Sequence, residues 1–174
     1  MISNRNSFGE SWKNIELGKE AFALMKSLPE TVPDEFDTPQ EKASLLSNML
    51  DQMDETVTPR FCIEVREYIR ELNPSDDDNL ADLAMLRDFI DPSISMEEYC
   101  DKYQKLLHFD PVERCKEWED VIYSIEMKCD AALKDEPRGM GFCFMYWPVK
   151  RNFLAEHGID WKSPAELNPR VIFD

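Results

Sequence analysis

The stretch Asp110–Lys134, DPVERCKEWEDVIYSIEMKCDAALK, decides the fold class. Cys115, Trp118, Ile122, Ile125, Cys129 and Ala132 recur at alternating intervals of three and four, which places them in one apolar stripe along a helix. Asp110-Pro111-Val112-Glu113 supplies its start. The aspartate accepts from an orphan backbone N–H, the proline fills the position whose N–H is not needed, and the glutamate reaches back as in a capping box. The pattern predicts a central helix from about Pro111 to Lys134.

The same start recurs at Thr38-Pro39-Gln40-Glu41 and Ser163-Pro164-Ala165-Glu166, and without proline at Ser95-Met96-Glu97-Glu98. Stripes of helical period follow these starts or flank them. They comprise Ile15, Phe22 and Met25; Ala43, Leu46, Met49, Leu50 and Met53; Phe61, Val65, Tyr68, Ile69 and Leu72 after Thr58; Leu80, Leu83, Leu86 and Ile90; and Met96, Tyr99, Tyr103, Leu106 and Leu107. No segment alternates as a strand does, and no internal repeat is visible. The central stripe lasts under three heptads, which favours an intramolecular bundle over a coiled-coil dimer. The fold class expected is all-α, a compact single-domain bundle of about seven helices with short proline-capped connections at Pro29–Asp37, Asn73–Asn79 and Asp135–Gly141.

A chain of 174 residues with 43% apolar and 11% aromatic residues can bury a substantial core. Its formal charge of −16 is unevenly spread. Residues 1–137 hold 32 acids against 15 bases and form an acidic helical body, whereas residues 138–174 hold four acids, five bases and seven of the 19 aromatics. The second segment is expected to pack on the same domain. A body this acidic repels phosphate backbones and anionic headgroups, so neither nucleic acid nor a membrane surface is an expected partner. A basic protein or a divalent cation suits it better, and a solvated surface serving solubility is the leading alternative reading of the acidic face.

MISNRNSFGESW lacks an apolar signal region, and the longest apolar run, Phe142–Trp147, is far shorter than the ~20 residues that span a bilayer. Five cysteines, Cys62, Cys100, Cys115, Cys129 and Cys143, form an odd set without Cys-x-x-Cys and read as reduced thiols. A cytoplasmic location is the expectation from these features.

Glu64-x-x-Glu67, Glu98-x-x-Asp101 and Glu117-x-x-Asp120 each put two carboxylates one helical turn apart, where they can face one Mg²⁺ ion. Their order resembles the all-α nucleoside triphosphate pyrophosphohydrolases, a resemblance that implies two helices clamping magnesium against a triphosphate through Glu64, Glu67, Glu98 and Asp101. At this acid content such pairs arise about seven times by chance, so solvated helix faces are the leading expectation for them. Asp76-Asp77-Asp78 reads as a helix start. His108 and His157 lie at no ligand spacing, and His157 precedes Gly158 as a helix C-terminus would. Gly139-Met140-Gly141 lacks the flanking residues of a phosphate loop.

In GMGFCFMYWPVKR, Gly139–Arg151, the residues Phe142, Tyr146, Val149 and Phe153 share one helical face, which is expected to be core. Pro148 predicts a helix beginning near Trp147 or a kink there, or else an extended piece from Gly141 to Trp147. The opposite face presents Phe144, Trp147, Lys150 and Arg151, and Trp161 follows soon after. These five are the candidate partner-binding residues, since aromatics mixed with arginine anchor interfaces. In the competing reading they close the end of the bundle, with lysine and arginine stems laid over the rings. The function expected is a non-catalytic, intracellular helical protein that acts through protein–protein interaction, a basic partner fitting its charge, with no cofactor. The alternatives are the Mg²⁺-dependent pyrophosphohydrolase and a structural subunit of an oligomer.

Overall fold

Three of the four helix starts form as the side chains specify. Thr38 accepts from Glu41 N–H at 3.2 Å while Glu41 takes the Thr38 N–H at 3.0 Å. Ser95 and Glu98 make the same reciprocal pair at 3.2 and 2.8 Å, and Glu166 reaches back to the N–H and hydroxyl of Ser163. The structure, a computed structural model, describes residues 11–27 and 38–173. The expected loop from Pro29 to Asp37 and the first ten residues lie outside those.

Among the described residues the chain forms eight α-helices, one 3₁₀ helix and no strand. Contacts divide it into two compact units, residues 13–90 and residues 91–173 with 11–12. The charge boundary at 137 is therefore one of composition, because the helices on either side of it pack together within the second unit.

The first unit contains α1 (Ser11–Ser27) from Lys13 onward, α2 (Pro39–Leu50), α3 (Pro59–Leu72) and α4 (Asp77–Ile90). Its core is built from the expected stripes, with Ile15, Phe22, Leu46, Leu50, Val65, Ile69 and Leu86 all buried. Phe22 meets the rings of Phe61 and Tyr68 edge-on at 5.9 and 5.8 Å. Gly18 allows α1 to approach the turn after α2, since a Cβ there would lie 2.8 Å from Met53 Sδ. Asp76 caps α4 by accepting from Asn79 N–H at 2.9 Å. Buried Arg66 ties α3 to α4: its guanidinium grips Glu55 in a two-pronged contact at 2.6 and 2.5 Å, reaches Asp82 at 2.9 Å, and bonds Asn79, whose amide returns a bond to the Arg66 carbonyl.

The second unit contains α5 (Met96–Lys102), a 3₁₀ helix (Pro111–Arg114), α6 (Lys116–Ala132), α7 (Phe142–Glu156) and one turn, α8 (Pro164–Leu167). Two expectations are corrected here. The helix after Ser95 stops at Lys102, and Gln104 then takes φ +51°, so Leu106 is almost wholly exposed and belongs to no core stripe. The central helix is broken. Pro111–Arg114 forms a 3₁₀ turn, and Cys115, extended at φ −78°, ψ 152°, stands at the N-cap position of α6 without a side-chain cap bond, its thiol exposed. The break has a physical reason. Asp110 accepts from Val112 N–H at 3.0 Å and from Lys162 N–H at 2.7 Å, while Arg114 donates to the carbonyls of Ile94 and Asp91. These bonds hold the first turn to other segments rather than in line with α6. The stripe from Trp118 through Ile122 and Ile125 to Cys129 is buried as expected.

Candidate interaction surface

The α7 helix begins at Gly141, whose φ of +80° is open to glycine and strained for other residues. It runs unbroken through Pro148 to Glu156, correcting the expectation of a late start or an extended piece. At the far end Gly158, at φ +74°, returns its N–H to Ala155 O, and Ile159 donates to Leu154 O, which closes the helix.

The inner face carries Phe142, Tyr146 and Leu154 against α6, and in the same row it carries Lys150. The Lys150 ammonium stands 5.1 Å from the ring centre of Trp118, 5.5 Å from Trp161 and 5.8 Å from Tyr146, and pairs with Glu126 at 3.4 Å. The indole of buried Trp161 donates to Glu113 at 2.7 Å. Burial raises the Glu113 carboxyl above its usual range against the pull of the Trp161 bond and the Lys150 charge. It also pushes the Cys129 thiol up to about 11 and the Tyr146 hydroxyl well above the usual phenol range.

The five expected partner-binding residues thus separate. Trp161 keeps 3% of its surface and Lys150 is largely closed off, so both belong to the interior. Arg151 donates to the Trp161 carbonyl at 3.0 Å and pairs with Glu166, so it fastens the segment after α7. Phe144 and Trp147 remain at the surface. Phe144 is 54% exposed, and Trp147 stands edge-on to it at 5.3 Å and to Phe173 at 5.3 Å. Phe173 was not foreseen as a member of this cluster; its two apolar neighbours, Val171 and Ile172, were the only signal. Ile172, Met140 and Met145 are exposed in the same unit.

The carboxylate pairs have local roles. Glu64 pairs with Lys26 at 3.1 Å and Glu67 with Arg87 at 2.7 Å, both on the exposed side of α3. Glu98 belongs to the Ser95 cap, whose hydroxyl bond holds its carboxyl below the usual range. Asp101 is exposed on α5, and Asp120 pairs with Lys116. Among the described residues no group of three or more His, Cys, Asp or Glu side chains is arranged to hold a metal ion. Asn168 brackets the backbone of His108, accepting from its N–H at 2.9 Å and donating to its carbonyl at 3.0 Å. No helix among the described residues is long and apolar enough to cross a membrane.

Comparison of the chain with protein-family models, with curated proteins and with solved structures gave no match.

Proposed function

We propose that the protein acts without catalysis, inside the cell, by binding another protein through the outer face of α7. The observation that carries this reading is the surface cluster of Phe144, Trp147 and Phe173. Two edge-on ring pairs hold Trp147 in place, and Phe144 is left open to a partner. Large aromatics held rigid at a surface lose little conformational entropy on binding, which is why they anchor interfaces. The acidic remainder of the chain favours a partner with basic residues around its apolar contact, because opposite potentials speed encounter. Magnesium-dependent hydrolysis of a nucleoside triphosphate through Glu64, Glu67, Glu98 and Asp101 gains no support from their placement.

The test is affinity capture from the source cell with the natural chain and with Phe144→Ala/Trp147→Ala. Loss of a specific captured protein from the double variant, with the helical circular-dichroism signal unchanged, is the expected outcome. Equal capture by both would end the proposal.

A further inference from the structure

The outer face of α7 carries a hydrogen-bond donor as well as rings. Among the described residues the Trp147 indole N–H makes no hydrogen bond, whereas those of Trp12 and Trp161 bond Asp130 and Glu113. Trp147 is half-buried and this nitrogen is open to solvent, so a molecule seated on the cluster reaches it. Phe144 and Phe173 each stand 5.3 Å from Trp147 with planes 78° and 87° from its own, so neighbouring rings form the walls of shallow clefts rather than one flat surface. From Gly139 to Ala155 the sequence holds no acid, while the whole chain stands at −16.

We infer that this face binds a proline-rich segment in the polyproline II conformation, with lysine or arginine at its ends. The inference rests on the protein-binding reading of α7 and names the chemistry of the partner. Polyproline II leaves its backbone carbonyls without internal hydrogen bonds, so one of them can accept from the Trp147 N–H while the pyrrolidine rings fill the clefts between aromatics. A helical partner bonds its carbonyls internally and offers that donor no backbone acceptor along its length. An extended strand adds to a sheet edge, and the described residues have none. Proline also enters the complex with φ already fixed, so little entropy is lost on docking. Charge sets the flanks: a neutral centre meets the acid-free face, and cationic ends meet the potential of an acidic chain.

The test is an ¹⁵N-edited NMR titration of the full chain, read at the Trp147 indole signal, which Trp147→Phe identifies by its loss. The probe is a blocked peptide of six prolines with two lysines at each end. The expected result is a saturable shift of that signal with a Kd on the order of 0.1–1 mM. Glutamates in place of the lysines should weaken binding at least about fivefold at low salt. Glycine and serine in place of the prolines should abolish the localised shift. Trp147→Phe keeps a ring and loses the N–H, and its affinity, read from the backbone amides of α7 in a spectrum that also reports its folding, should fall about fivefold. No saturable shift up to about 5 mM, equal binding of the proline-free peptide, or tighter binding of a lysine-rich amphipathic helix would each overturn the inference. If the proline peptide fails while capture from cells still depends on Phe144 and Trp147, this inference falls and the protein-binding reading stands; if that dependence is absent too, both fall.

Discussion

Lys150 Nζ lies 3.4 Å from Glu126 Oε1, an ion pair between α7 and α6 in which neither side chain keeps more than 13% of its surface exposed. Three aromatic rings surround the ammonium, so the pair sits where water is scarce. The C-terminal segment is thereby fixed to α6 from within, and its outer face is left as surface.

Lys150→Met removes the cation and keeps the stem's packing, taking from Glu126 the ammonium it pairs with. A loss of about 2–3 kcal/mol is expected in urea unfolding, below the usual cost of splitting a fully buried pair because some water access remains. Lys150→Met/Glu126→Leu should recover most of that loss. A loss under about 0.5 kcal/mol for the single variant would mean the pair behaves as a surface salt bridge.

Glu113 makes stability depend on pH. Its folded carboxyl is raised by burial, so the folded chain holds this proton more tightly than the unfolded chain does. The stability linked to it is full at low pH and is lost as pH rises through the raised folded value. Glu113→Gln does not titrate and its amide oxygen can still accept from Trp161. The stability of the natural chain relative to this variant should therefore fall as pH rises above the ordinary glutamate range in parallel urea unfolding. A difference that stays constant or grows would contradict the assignment.

Gly141→Ala should cost about 1 kcal/mol, because alanine must take φ +80° where nothing lies within 4 Å to clash with its Cβ. Gly139→Ala, equally uncrowded but outside the left-handed region, should change thermal stability little. Equal effects of the two substitutions would show that conformation at Gly141 does not set the start of α7.

What the sequence made legible was local. Thr38, Ser95 and Ser163 meet partners three residues away, so their caps follow from spacing alone, as does the closing role of Gly158. The break at Cys115 was hidden because the apolar stripe reads through it. Its cause is distant, in the bonds of Asp110 to Lys162 and of Arg114 to Ile94 and Asp91. The inward turn of Lys150 and Trp161 was hidden for the same reason, since Glu126 and Glu113 that receive them lie on other elements. One sequence signal pointed the right way: Phe142, Tyr146, Lys150 and Leu154 fall in a single i, i+4 row, so the lysine shares the buried face. The Phe144–Trp147 half of the surface cluster was readable from helical spacing, but Phe173 reaches it from beyond α8.

The most direct measurement of the proposed binding role is photo-cross-linking in the source cell, with p-benzoylphenylalanine at position 144 and, as a control, at exposed Glu71 on α3. The account predicts one discrete cross-linked protein from position 144, absent from position 71 and lost when Trp147→Ala is added. Cross-links that are the same from both positions, or none from position 144, would contradict it.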